Sequence, residues 1–227
     1  MIADNLRAIK ARIRDAARRV HRDPDEIGIV AAAKGQGRAK IEEAIQAGVT
    51  IIGHNYVQEA ASEKPTILPA GLSFHMIGHL QKNKVGKAVG LFDVIETVDD
   101  GDIAAALDRR AGEANRTMGV MIQVNVGREP QKSGVSLEGA EALISLVRRL
   151  PYLRLMGLMT MPPFFDQPER ARPFFAALRD LRDRLVTRGL LTAEMRELSM
   201  GMTGDFEVAV EEGATLVRIG TALFGPR

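Results

Sequence analysis

Short apolar runs alternate with longer amphipathic stretches along the whole chain, and this alternation constrains the fold more than any other feature. Runs suited to strands occupy 28–33 (GIVAAA), 49–52, 72–77, 92–97, 120–126, 154–159, 196–200 and 215–219. Helical patterns lie between them at 38–47, 55–63, 81–89, 101–115, 137–150, 168–188 and 205–213. Another amphipathic helix, with Ile2, Leu6, Ile9 and Ile13 on one face, precedes the first strand. Strands separated singly by helices read as repeated βα units, the pattern of a parallel sheet. Eight such units in 227 residues predict an α/β fold in one domain, 1–227: a single (β/α)8 barrel of the TIM type with an extra N-terminal helix. An eight-stranded doubly wound sheet is the alternative. In the barrel, the N-terminal helix covers the seam where the eighth strand has no following helix of its own.

Composition removes several functions. The chain has no cysteine, which excludes disulfides, thiolate metal ligands and cysteine nucleophiles and suits a reducing, cytoplasmic setting. The net charge of +2 is nearly balanced and lacks aromatic interleaving, so no nucleic-acid partner is expected. No apolar run approaches membrane-spanning length, and the N-terminus lacks a signal-peptide core, so no membrane partner is expected either.

A barrel of this kind carries its chemistry at the C-terminal ends of the strands. The polar residues there are Lys34, His54, Asn55, His75, His79, Asn125, Thr160, Ser199 to Asp205, and Arg218 to Thr221. Lys34 ends the run VAAAK and is either the first solvated residue after a strand or an amine held in a partly apolar pocket. Desolvation disfavours a charged amine, and a neutral one can form a Schiff base with an aldehyde. The Gly35-Gln36-Gly37 that follows reads as a flexible turn or as a device that loosens the site.

After the seventh strand, Ser199, Gly201, Thr203 and Gly204 lead into a helix near Asp205; after the eighth come Gly220 and Thr221. Thr203 or Asp205, taken alone, is explained as a helix N-cap. Together the two loops occupy the positions where barrels commonly bind phosphate. Arg218, inside the eighth apolar run, must pair with a core carboxylate or face a polar cavity. One lysine, one phosphate cradle and one arginine on a face suggest pyridoxal phosphate, or a Schiff-base aldolase for a sugar phosphate. His75 and His79 are four apart, but Gly78 interrupts any helix and no third ligand is evident, so no metal is expected. Lys82, Lys84 and Lys87 read as a solvated helix face.

Several segments, NYVQEA (55–60), FHMIGHLQKNK (74–84), QVNVGREPQKSG (123–134), GLMTMPP (157–163) and LSMGMTGDFEVAVEEGATLVRIGTALFG (198–225), together with Lys34, resemble the pyridoxal phosphate homeostasis proteins. These are barrels similar to the N-terminal domain of alanine racemase. The resemblance implies a pyridoxal 5′-phosphate-binding protein of vitamin B6 homeostasis, with Lys34 forming the internal aldimine. It places Asn55 beside the cofactor and His75 near its ring. Ser199, Met200, Gly201, Met202, Thr203, Gly204, Gly220 and Thr221 would hold the phosphate, and Arg218 would face the pyridine nitrogen. No residue is assigned a catalytic role. The resemblance further implies that the protein carries or buffers the cofactor; a monomer is expected, with apo pyridoxal phosphate-dependent enzymes as recipients. The alternative is an enzyme with weak amino-acid racemase activity. Against that, the chain stops soon after the barrel, and Tyr56 and Tyr152 fall in helical or helix-end positions. Two departures from the family pattern sit near Lys34: His54 replaces a glutamate, and Ala33 and Gly35 replace the usual serine and threonine. His54 is expected to titrate near neutral pH and change the charge near the pocket.

Overall fold

The computed structural model describes residues 1–65 and 68–226. Eight parallel strands close into a barrel in sequential order, with β8 pairing back to β1. They are β1 (Gly28–Ala32), β2 (Ile51–His54), β3 (Ser73–Met76), β4 (Val94–Val98), β5 (Met118–Gln123), β6 (Leu153–Met159), β7 (Glu197–Met202) and β8 (Leu216–Ile219). The barrel is therefore the observed fold, not the doubly wound sheet. Its helices are α1 (Ile2–Arg19), α2 (Arg38–Gln46), α3 (Val57–Glu63), α4 (Val85–Leu91), α5 (Gly101–Glu113), α6 (Ala140–Val147), α7 (Arg172–Thr187), α8 (Phe206–Glu211) and α9 (Thr221–Phe224).

Two strand expectations shift for identifiable reasons. β2 begins at Ile51 because Val49 belongs to the end of α2: Gly48 takes φ 102°, and Val49 N–H reaches back to Ala44 O at 3.0 Å. This is a Schellman closure, whose trailing apolar residue imitates a strand residue in sequence. β5 ends at Gln123 rather than Val126, because Val124 and Asn125 pair with Val135 of a loop that doubles back; Asn125 N–H donates to Val135 O at 2.9 Å. The third difference is at the chain end. β8 does have a helix of its own, the single turn α9, and α1 seals the seam beside it.

Helix α1 buries Ile2, Leu6, Ile9, Ile13, Ala16 and Ala17 against the barrel. Its polar side is pinned by Asn5 Nδ2 donating to Leu223 O at 2.8 Å and by a bidentate pair of Arg12 with Glu207 at 3.0 and 2.8 Å. Forked pairs of this kind fix orientation as well as adding energy.

Strand alternation splits the apolar residues into two clusters. The larger fills the layer between sheet and helices. A separate one, Val30, Ile77, Val94, Met121, Met159 and Leu216, fills the barrel interior. Each such side chain fully withdrawn from water contributes about 1.5–3 kcal/mol. The interior also holds polar side chains toward its C-terminal end, and these begin the site.

Candidate cofactor site

Lys34 lies two residues beyond β1, and the pairing with β2 continues to Ala33, whose N–H donates to Gly53 O at 2.8 Å. The chain then reverses at Gly35, with φ 68°, a conformation that a Cβ disfavours. The next residue is far from loose. Gln36 is 5% exposed, its N–H donates to Ala33 O at 2.9 Å and its Oε1 accepts from Lys40 Nζ at 3.0 Å. The Gly-Gln-Gly stretch is thus a tied turn, which fixes where Lys34 leaves the strand. Lys34 Nζ meets an aromatic face, the Tyr56 ring, with 5.4 Å to the centroid. Tyr56 is not helical: it precedes α3 and is half exposed.

Asn55 follows β2 directly. Its backbone is pressed against Gly78, where an added Cβ would fall 2.3 Å from Asn55 O. Gly78 is held in turn by Thr97 Oγ1, which donates to its carbonyl at 2.8 Å. Only a residue without a side chain fits between these two loops.

Lys34 and Asn55 open onto a cavity of about 370 Å³ at the C-terminal end of the barrel. The rest of its wall is Ala32, Ile77, Met161, Phe164, Phe165, Met202, Thr203, Gly204, Asp205, Arg218, Gly220 and Thr221. The two loops proposed as a cradle therefore meet in one space. Among the described residues, the N–H groups of Thr203, Gly204, Thr221 and Ala222 donate to no backbone acceptor. Such free donors beside an arginine suit an anion. Asp205 does not cap α8 with its side chain; its Oδ1 accepts from Met202 N–H at 2.6 Å and so ties the turn from behind. Burial pushes its carboxyl up, opposed by that N–H and by the Arg218 charge.

Behind this wall, inside the barrel, runs a chain of buried polar groups. Arg218 Nη2 donates to Thr160 O at 2.7 Å and Nη1 to Ser199 Oγ at 2.7 Å. Ser199 Oγ donates to Glu96 Oε2 at 2.5 Å, and Glu96 Oε1 lies 2.6 Å from His75 Nδ1. A carboxylate only accepts, so His75 Nδ1 carries the proton between them. Burial pushes the Glu96 carboxyl up, but the His75 hydrogen bond, the His75 and Arg218 charges and the Ser199 hydroxyl outweigh it and hold it low. Burial pulls the Arg218 guanidinium down against the charges of Glu96 and Asp205. Arg218 thus faces the cavity, and among the described residues it reaches a core carboxylate only through a serine and not as a direct ion pair.

The sequence-derived site is thus partly assembled. Lys34, Asn55, Met202, Thr203, Gly204, Arg218, Gly220 and Thr221 share the cavity wall. His75 and Ser199 lie behind it in the buried chain. Met200 faces the outer apolar layer, and Gly201, with φ 89°, packs against α8, where a Cβ would come 2.5 Å from Ala209 Cβ. Asp205, expected at this face with the rest of the β7 loop, is in the wall as well, whereas Glu96 and the apolar Met161, Phe164 and Phe165 were not foreseen. Glu96 could have been: a carboxylate inside the run VIETV raises the same cost argument as Arg218.

His54 requires a correction. It is the last residue of β2, fully buried, and it points outward, where its ring stacks on Phe74 at 6.2 Å. Its ring nitrogens have no hydrogen-bond partner among the described residues, the nearest carboxylate being Glu63 at 3.9 Å. Burial lowers its pKa to about 4, so it stays neutral at neutral pH and does not face the cavity. His79 is exposed, with Ser133 Oγ at 3.4 Å, and does not join His75. Lys82 and Lys87 are solvated as expected, Lys82 pairing with Asp102, while Lys84 is half buried.

Residues 5–227 match the family model for the alanine racemase N-terminal domain. The pyridoxal phosphate homeostasis protein of Aquifex aeolicus is 39% identical over 99% of this chain and 97% of its own length. That of Pseudomonas aeruginosa is 41% identical over 100% of this chain and 96% of its own. Among solved structures, PipY of Synechococcus elongatus with PLP bound is 34% identical, covering 99% of this chain and 100% of that one with a TM-score of 0.86. With a matching fold, a matching family model and relatives this similar over its full length, the chain belongs to the pyridoxal phosphate homeostasis protein family.

Proposed function

We propose that the cavity binds pyridoxal 5′-phosphate and that the protein serves vitamin B6 homeostasis by holding and yielding this cofactor. The observation that carries the proposal is one space walled by Lys34, Arg218 and two loops with free N–H groups. The donor set fits the group: an amine for the aldehyde, N–H groups and threonine hydroxyls for the phosphate, and apolar Ile77 and Met161 for the ring. When bound, pyridoxal phosphate supplies an electron-withdrawing ring conjugated to the amine that its aldehyde has captured.

Lys34 would be the covalent anchor, its amine taking the aldehyde as a Schiff base with loss of water. Thr203, Gly204, Gly220 and Thr221 hold the phosphate, and Asn55 flanks the ring. Arg218 is a donor that never accepts and keeps its charge, so a ring nitrogen facing it stays unprotonated. That weakens the ring as an electron sink and favours a carrier over a racemase. Apo pyridoxal phosphate-dependent enzymes as recipients, a monomeric state and a cytoplasmic location complete the reading, the last in keeping with the cysteine-free composition. Among the described residues, no helix is long and apolar enough to cross a membrane.

Borohydride treatment of the loaded protein, followed by peptide mass analysis, should place a pyridoxyl phosphate adduct on Lys34. Lys34→Ala should lose the adduct and keep weaker, non-covalent binding. An adduct on another lysine would overturn the assignment. Catalytic α-deuteration of added D- or L-amino acids in heavy water would overturn the carrier reading.

A further inference from the structure

Glu96 has no part in the proposal above, yet it joins the groups behind the cavity wall. Among the described residues it is the only acidic side chain that is buried, at 0% exposure. A buried carboxylate is expensive, and a well-packed apolar residue in its place is often no less stable. Its retention inside the apolar run of β4 therefore calls for a role other than packing. Its two oxygens are divided between two neighbours: Oε1 meets His75 on β3 at 2.6 Å, and Oε2 accepts from Ser199 on β7 at 2.5 Å. Ser199 Oγ in turn accepts from Arg218 on β8. The guanidinium is thus fixed at two points, the Thr160 carbonyl and a hydroxyl whose proton is committed to Glu96.

We propose that Glu96 is the positioning residue for the ring side of the site: through Ser199 it sets the plane of Arg218, it orients His75, and its negative charge tempers the positive field that Arg218 projects into the cavity. This rests on the reading that pyridoxal phosphate occupies the cavity with its ring toward Arg218. The charged and titratable groups around that space are Lys34 after β1 with the Tyr56 ring against it, His75 on β3, Glu96 on β4, Asp205 after β7 and Arg218 on β8. Of the two carboxylates among them, Glu96 is the one bonded into the chain that ends on the guanidinium.

Glu96→Gln keeps the size of the side chain and removes one buried negative charge. The field in the cavity becomes more positive, and the protonated form of the Lys34 linkage is disfavoured. The visible-absorbance transition that reports this protonation should move to lower pH by about one unit. Ser199→Ala keeps the charge but frees the guanidinium, so it should raise the dissociation constant for pyridoxal phosphate several-fold and move the transition less. In the cofactor-free protein, the Arg218 guanidinium N–H signals, assigned by Arg218→Lys, should exchange slowly with solvent in the parent and faster in both variants.

A Glu96→Gln protein with parent-like circular dichroism and an unmoved transition overturns the charge role. Should that variant fail to fold, Ser199→Ala decides: parent-like affinity and parent-like Arg218 exchange overturn the positioning role. Should the parent itself take up no pyridoxal phosphate and give no borohydride adduct, the cofactor reading fails instead. The Arg218 exchange rates then still test whether Glu96 holds the guanidinium.

Discussion

Replacing His54 by leucine should flatten the acid limb of the stability profile. The histidine is fully buried beneath α3, with both ring nitrogens lacking a hydrogen-bond partner among the described residues. Unfolded, it takes a proton near 6.5; folded, only at about 4, because burial disfavours the charged ring. Between those values the unfolded chain binds more protons than the folded one, so stability falls as pH falls. At about 1.4 kcal/mol per unit, this single site removes about 3 kcal/mol between neutral pH and pH 4. The partly buried Glu63 carboxyl, pushed up by burial and by Glu59, contributes with the opposite sign. It is present in both proteins and largely cancels in the comparison. At pH 7 the two should differ little, since leucine ends the burial of two unpaired nitrogens but loses the stacking on Phe74. The assay is urea unfolding of cofactor-free parent and His54→Leu by circular dichroism from pH 7.5 to pH 4. The gap should open in favour of the variant as pH falls. Parallel profiles would refute the burial argument.

Two glycines give sharper steric tests. Gly78→Ala would place a Cβ 2.3 Å from Asn55 O and displace the β2 exit loop, so cofactor retention should weaken by at least about tenfold in equilibrium dialysis, or about 1.4 kcal/mol. Unchanged affinity would mean that the Asn55 loop does not matter to binding. Gly157→Ala, in β6, would put a Cβ 2.0 Å from Glu197 O of β7; thermal melting should report a loss of about 3 kcal/mol, with binding per folded molecule unchanged.

Legibility in the sequence followed the range of the forces involved. The βα alternation, the packing face of α1 and the grouping of Lys34 with the β7 and β8 loops arise from local periodicity and from the rule that barrel strands end on one face. Those were readable. The strand ends at Val49 and Val126 were not, because an apolar residue in a Schellman closure or in a loop that doubles back has the same composition as one in a strand. His54 was misjudged for a related reason. Its place in the motif put it near the site, but β2 runs on to His54, so the pleat and not a rim loop sets its direction and turns the ring to the outer face beside Phe74.

The chain order of residue types thus determines that this is a barrel and which loops share its rim, since hydrophobic periodicity and crossover geometry act within one βα unit at a time. Tertiary closure decides the remainder. Glu96 reaches Ser199 across 103 positions of sequence, and Arg218 reaches Thr160 across 58. Those bonds exist because β4, β6, β7 and β8 are bent onto one interior, where each buried charge must find its partner or not be tolerated at all.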